Sequence, residues 1–521
     1  MVKNRKNAKH PILKEGEIVI SILKNLKESG CISDELFQRM KPIGSQPARL
    51  YGLAKVHKSN TPMRPVLSMP GSAYHKVATQ VAFWLSNVPE CNINSSTKKI
   101  SDSLKTMNLD EGEELLSFDV SALYTNVPVQ EAIERCADLL FDQLSLPVSK
   151  ETFITLAEIA SCNVIMLTHD GYYKQVDGLA MGSPPAPHLA NGWMSQFDPK
   201  IRGESRLYQR YMDDVLMALP TSNIQTKLEE INSFHPSLQF TMEREKENSL
   251  PFLDMRIRNN NGSLSSEWYH KPTDTGLVMN FHSLAPKRYK RSVVSGFVYR
   301  VYRACSTWKH FHNGLEKAKR ILEQNQYPPE FYGPIIHETL TTIVSSDNKD
   351  QGSDSEEHGS QQEIDIKLKD TRKSFSLFLN YRGKVSETYA RSLHKIEAPC
   401  RIIFTLRKLK TILPSLKPPV PKLFKSGVVY QIECPRCNSC YVGQTSRQIQ
   451  TRFKEHVSSG PVQQHFEDCG TDLSEEHISI LGTTSKGEIT LLTLEALWIR
   501  DLKPQLNTKD EFRSRTLTIK L

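Results

Sequence analysis

An α+β fold, with a large N-terminal unit and a small α/β unit at the C-terminal end, is what this sequence predicts, and three observations carry the expectation. Short apolar runs of period two, at residues 114–120 and 206–219, recur among segments of helical period such as residues 11–41. A polar, acidic stretch free of aliphatic residues, 345–362, then breaks the pattern; it cannot bury enough surface to fold and reads as a linker. Beyond it, Cys400, Cys434, Cys437, Cys440 and Cys469 crowd into one region, which fits metal binding better than a disulfide framework.

Segment 206–219 alternates through Tyr208, Arg210 and Met212, sets Asp213 beside Asp214, and resumes as an apolar run. A strand–turn–strand hairpin with two carboxylates at its tip is expected. Adjacent carboxylates repel, and burying them unpaired is costly, so a divalent cation is the natural compensation. The other reading is a solvated turn, since Asp is common in turns. Upstream, residues 114–120 read as a buried strand that carries Asp119 near its end, followed by an irregular turn at 121–128. Beside the hairpin, Asp119 would complete a two-metal site, in which ions roughly 3.5–4 Å apart activate a 3′-hydroxyl and steady a pyrophosphate. The chemistry expected is nucleotidyl transfer.

Tyr211-Met-Asp-Asp214 and Ser117-Phe-Asp-Val120 resemble the metal-binding motifs of reverse transcriptases, and Gly178-Leu-Ala-Met-Gly-Ser-Pro-Pro-Ala-Pro187 is similar to the template-gripping motif between them. Tyr51-Gly-Leu-Ala-Lys-Val-His-Lys58, Arg64-Pro-Val-Leu-Ser68, Leu250-Pro-Phe-Leu-Asp254 and Lys271-Pro-Thr-Asp-Thr-Gly276 resemble blocks of Penelope-like retroelements, whose polymerases are related to telomerase reverse transcriptase. The resemblance implies a right-hand polymerase: partial fingers over residues 1–110, palm over 111–280 and thumb-like basic helices over 281–340. A disordered linker over 341–370 and a connector over 371–424 would follow. It implies two Mg²⁺ ions on Asp119 and Asp213, with Asp214 beside them, deoxynucleoside triphosphates as substrates, an RNA template and a DNA primer. Family members carry more sequence before the first block, so a truncated copy that only binds nucleic acid is a competing expectation. A viral RNA-dependent RNA polymerase is a third.

Taken in order, residues 11–41 read as a packing helix stopped at Gly30. Lys55, His57, Lys58 and Arg64 then form a basic, turn-punctuated segment, either a surface hairpin or, as the resemblance implies, the part of the fingers where Lys55 and Arg64 hold the incoming triphosphate. Tyr124 follows Asp119 by five residues; in reverse transcriptases an aromatic at that offset excludes a ribose 2′-hydroxyl. Gly182 and Ser183 lie in a Gly/Pro-rich turn ahead of a helix-like stretch, where backbone can approach a template strand. From Lys287 to Arg320, basic residues interleave with Tyr and Trp on helical segments, as expected of a surface that grips a nucleic-acid backbone. The formal net charge of +9 agrees with a polyanionic partner, and no apolar run approaches the roughly 18 residues of a membrane span. An intracellular, nuclear protein is expected.

At the C-terminal end, Gly427-Val-Val-Tyr-Gln-Ile432 and Cys440-Tyr-Val-Gly-Gln-Thr445, then Arg447, Arg452, Glu495 and Asn507, resemble a GIY-YIG endonuclease over 425–521. The resemblance implies hairpin strands bearing Tyr430 and Tyr441, one Mg²⁺ on Glu495, a phosphate contact from Arg452, Asn507 in the site, and a DNA target cut on one strand. Between the two Tyr motifs stands Cys434-Pro-Arg-Cys437, and a C-x-x-C pair with a later His/Cys or His/His pair has the spacing of a structural Zn²⁺ site. The family resemblance favours His465 with His477 as the remaining ligands; His465 with Cys469 is the tighter local pair, and thiols without metal are the third reading. The oligomeric state has no signature in the sequence.

Overall fold

The computed structural model describes residues 11–56, 60–93, 96–162, 164–350, 375–395, 400–406, 413, 415–484 and 488–507. The basic start, His57, Lys58, residues 351–374, which include most of the acidic segment, and the basic stretch 407–412 lie outside them. Among the described residues, no helix is long and apolar enough to cross a membrane.

The expected α+β architecture is found. The helix expected to stop at Gly30 is Pro11–Glu28, and a second helix, Asp34–Met40, completes residues 11–41, capped by the Ser33 hydroxyl, which accepts the Leu36 amide. The basic segment that follows is a hairpin of strands Ala48–Ala54 and Met63–Ser68, extended into a four-stranded sheet by Ile165–Leu167 and Tyr172–Lys174.

A second four-stranded sheet positions the acids. Its order is Tyr208–Tyr211, Asp214–Pro220, Glu113–Val120, Phe240–Arg244, with every neighbour antiparallel. Alternate side chains of a strand point to opposite faces, and here both faces are covered. Leu116, Phe118, Val120, Val215 and Met217 join a core with helices Val129–Gln143 and Ala186–Met194. Leu115, Leu216 and Ala218 join a second core, formed with the hairpin sheet Ser249–Phe252, Met255–Asn260 and Ser263–Trp268 and with helices Lys287–Ala304, Trp308–Gln324 and Pro329–Asp350. The last of these helices continues through residues 341–350, into the span read as linker, where buried Ile343 still packs on the second core. The expected irregular turn at 121–128 contains a short helix, Leu123–Asn126, reached through Ala122 at a left-handed φ of 51°.

A small crossover unit follows: strands Phe375–Asn380 and Cys400–Thr405 pair in parallel, joined through helix Lys384–Lys395. The C-terminal unit has a three-stranded antiparallel sheet in the order Cys440–Thr445, Val428–Glu433, Ile478–Thr483, with helices Ile449–Ser458, Pro461–Asp468 and Glu488–Leu502.

Candidate active sites and metal centre

Strand register brings the three acids together. Asp119 is the cross-strand partner of Asp214, and the Val120 amide donates to the Asp213 carbonyl at 3.0 Å. They line an open cleft of about 1190 Å³ together with Lys55, Arg64, Tyr124, Tyr211, Asp254, Tyr269 and Lys271. Burial, then the charges of Asp213 and Asp119, push the Asp214 carboxyl up to about 6, while the Lys271 ammonium opposes the shift. A cation is what this excess of negative charge lacks, so the donor set fits a divalent metal. Tyr124 is half-buried; burial, with the Asp213 charge behind it, pushes its phenol up to about 12. Gly182, at φ 100°, lies against the strand that bears Arg64, where a Cβ would stand 2.4 Å from the Leu67 carbonyl oxygen. Ser183 is buried next to it.

The turn that presents Asp213 is tethered from behind. Met212 has φ 56°, a conformation costly for a side chain with a Cβ. Arg210, with no exposed side-chain surface, forms a two-pronged pair with Asp198 at 2.7 and 2.8 Å, and its Nη1 also donates to the Met212 carbonyl at 3.1 Å and to Asn191 Oδ1 at 2.8 Å. A buried guanidinium needs such complete pairing. The arrangement fixes the backbone one residue before Asp213.

In the C-terminal unit, Tyr430 and Tyr441 stand on neighbouring strands, with ring centroids 6.4 Å apart. The Tyr430 hydroxyl lies 2.7 Å from His456 Nε2 and accepts from Arg452 Nε at 3.2 Å. Arg452 also pairs with Glu455 at 2.8 Å. Burial holds the Tyr430 phenol well above its usual range, and Glu495, itself buried, is close enough for its charge to add to that shift. Burial, helped by the Arg452 charge, pushes the His456 imidazole down to about 4, so it is neutral at pH 7. His456 was not singled out from the sequence, although it follows Arg452 by one helical turn and so shares its face. The Asn507 amide is occupied by the backbone of Val442, donating to its carbonyl at 2.7 Å and accepting its N–H at 2.9 Å. Asn507 is thereby tied to both backbone groups of Val442 on strand Cys440–Thr445.

Cys434, Cys437, His465 and Cys469 bring one ligand atom each within 4.8 Å of one another. Of the expected ligands, His477 is not in this group: its Nδ1 accepts the Ser474 amide at 3.1 Å and its ring packs on Phe466. Cys469 takes the place because it follows His465 by one turn at the end of helix Pro461–Asp468. Hydrogen bonds from Ser439 hold the Cys437 thiol down to about 6, in the range of a metal-ready thiolate. Four converging N/S donors fit a tetrahedral ion.

Residues 56–251 match the family described as reverse transcriptase (RNA-dependent DNA polymerase), residues 277–337 an animal helix-turn-helix domain, and residues 426–510 a GIY-YIG catalytic domain. No curated protein matches the chain. Similar solved structures include a telomerase from Candida albicans in complex with a TWJ fragment of telomeric RNA, at 14% identity over 63% of this chain and 58% of that one, with a TM-score of 0.40. Apo telomerase from Candida tropicalis is similar at 12% identity over 65% and 66%, with a TM-score of 0.36. The RNA-dependent RNA polymerase of a human picorbirnavirus is similar at 12% identity over 57% and 65%, with a TM-score of 0.37. The chain thus spans less than two thirds of the first of these relatives. Its fold is that of a right-hand polymerase joined to a small α/β GIY-YIG domain, and it carries both a reverse transcriptase domain and a GIY-YIG catalytic domain.

Two predictions come from the charges in these sites. The raised Asp214 carboxyl means that ionisation of this group destabilises the fold, an effect absent below about pH 4 and complete above about pH 6. Asp214→Asn should therefore stabilise the metal-free protein at pH 8 by about 1 kcal/mol, after allowance for solvent screening of a partly exposed group. Urea unfolding should show that gain fade on acidification and, through neutralisation of the native acids, on addition of excess Mg²⁺. For His456 the depressed value works the other way: the unfolded imidazole takes up a proton from about pH 6.5 downward and the folded one does not until about 4. Stability present above pH 6.5 is lost across that window, on the order of 3 kcal/mol. His456→Gln should flatten this part of the pH profile of C-terminal unfolding, followed by hydrogen exchange.

Proposed function

We propose that the chain is an RNA-directed DNA polymerase and a DNA-nicking endonuclease that together carry out target-primed reverse transcription of a retroelement of the Penelope-like kind. The observation that carries this reading is the pairing, in one chain, of an acid-lined polymerase cleft with a separate Tyr–His–Arg–Glu site on the C-terminal sheet. Bound at Asp119 and Asp213, two Mg²⁺ ions would activate a primer 3′-hydroxyl and neutralise the leaving pyrophosphate. Asp214 orients that pair, and the Arg210 network holds the turn in register. Lys55 and Arg64, in the lining of the same cleft, grip the triphosphate, and Lys271 adds a positive charge beside Asp214. Tyr124 limits the space beside the sugar and so favours deoxynucleotides, while Gly182 and Ser183 let the template approach the backbone.

In the nuclease, Mg²⁺ on Glu495 would stabilise the leaving 3′-oxygen. Arg452 steadies the scissile phosphate and the Tyr430 hydroxyl. Neutral His456 pairs with the Tyr430 hydroxyl and so aims it, with Tyr441 beside them, at the attacking water. One such site cuts one strand and exposes a 3′-hydroxyl, the primer that the polymerase needs. Cys434, Cys437, His465 and Cys469 would hold Zn²⁺, which would organise the sheet connection between the two Tyr strands without joining the chemistry, since thiolates select zinc and a carboxylate suits magnesium. The proposed target, genomic DNA, makes the nucleus the place of action.

Primer extension with deoxynucleotides on an RNA template, run beside nicking of a supercoiled plasmid, tests the reading. Asp213→Asn should abolish extension, by roughly a thousandfold or more, and leave nicking intact; Glu495→Ala should do the reverse. Loss of both activities in either variant, or a parent protein that does neither, would sink it. Cys437→Ser should release zinc, measured as bound metal per chain, and lower the unfolding midpoint of the C-terminal unit while extension persists.

A further inference from the structure

The loop between helix Asp34–Met40 and strand Ala48–Ala54 touches the C-terminal unit more closely than a side chain would permit. Gly44 has φ 60°, and a Cβ on it would stand 2.2 Å from the Ser446 carbonyl oxygen, 2.6 Å from Ser426 Cβ and 3.1 Å from Arg447 Cα. Two of those three atoms are backbone, which cannot rotate away. Beside it, the Gln448 amide donates to the Ser45 carbonyl, and Gln46 Nε2 donates to Ser426 Oγ at 3.2 Å; Ser45 and Gln448 are both buried.

Each side of the contact is anchored. The Gln46 amide donates to the Gly71 carbonyl at 2.8 Å, and Lys76 Nζ to the Lys41 carbonyl at 2.9 Å, which hold the loop on the polymerase. Gln448 is the N-cap of helix Ile449–Ser458, the helix that carries Arg452 and His456. A third strut is Lys417, whose ammonium donates to Ser68 Oγ at 2.8 Å and sits 5.3 Å from the centre of the Tyr51 ring. Units joined by a linker usually move relative to one another. Here the chain has spent a glycine, two buried side chains and a lysine on one relative placement.

We propose that loop 41–46 is a docking device that fixes the nuclease on the polymerase, so that a nick and its extension are performed by one rigid body on the same DNA end. The partner of this surface is the nuclease of the same chain. The coupling rests on the two activities proposed above; the docking does not.

Two variants test it. Asn tolerates a left-handed φ, so Gly44→Asn adds the clash with little backbone strain. It should lower nick-dependent extension on a plasmid at least tenfold, while extension of a ready-made primer and nicking of the plasmid each stay within twofold. Gln46→Cys with Ser426→Cys should give a single intrachain product with a short bismaleimide, absent from either single variant, and the linked protein should keep its nick-dependent extension. No crosslink, an unaffected coupled reaction in Gly44→Asn, or a linked protein that loses only the coupled reaction would each overturn the proposal. A parent protein lacking either separate activity would overturn the functional reading, whereas the crosslink reports on docking alone.

Discussion

Antiparallel register between strands Glu113–Val120 and Asp214–Pro220 is the constraint on which the polymerase site depends. Because side chains alternate, a slip of one residue would carry Asp119 to the other face and separate it from Asp213 and Asp214. Register is held here by burial on both faces, Phe118 and Val215 toward one core and Leu115 and Leu216 toward the other. Hydrophobic packing therefore opposes the repulsion among the acids, and a cation at their tips would relieve it.

The same logic extends to the turn. Met212 holds a left-handed backbone, and the buried Arg210 binds its carbonyl while the Asp198 pair offsets the cost of desolvating the guanidinium. Pairing a charge completely and using the surplus donor to hold a backbone is one way a protein keeps a catalytic loop rigid.

The acids, the hairpin, the Tyr strands and the C-x-x-C pair were legible because each is local: alternation, adjacency and short spacing survive in one dimension. Arg210 was not. A basic residue in an alternating strand reads as outward-facing, and its burial follows only from Asp198, twelve residues upstream on another element. Lys271 stood in a recognised block, yet nothing in that block says that it faces Asp214. The choice of Cys469 over His477 turned on which residue the end of helix Pro461–Asp468 would carry to His465, and a capping bond then occupied His477. Gly44 could be read as a turn residue only; its approach to Ser446 spans some four hundred positions, a separation at which local sequence pattern carries no signal.

The topology of the acid-bearing sheet also orders events in time. Strand Glu113–Val120 finds its partners only after roughly a hundred further residues have been made, since they lie at Asp214–Pro220 and Phe240–Arg244. During synthesis its apolar edge waits unpaired, exposed to wrong partners and to aggregation. The Cys/His group, by contrast, closes within a short span near the end of the chain and can form as soon as it emerges. The polymerase half is therefore the part whose strands stay unpaired longest as the chain is made.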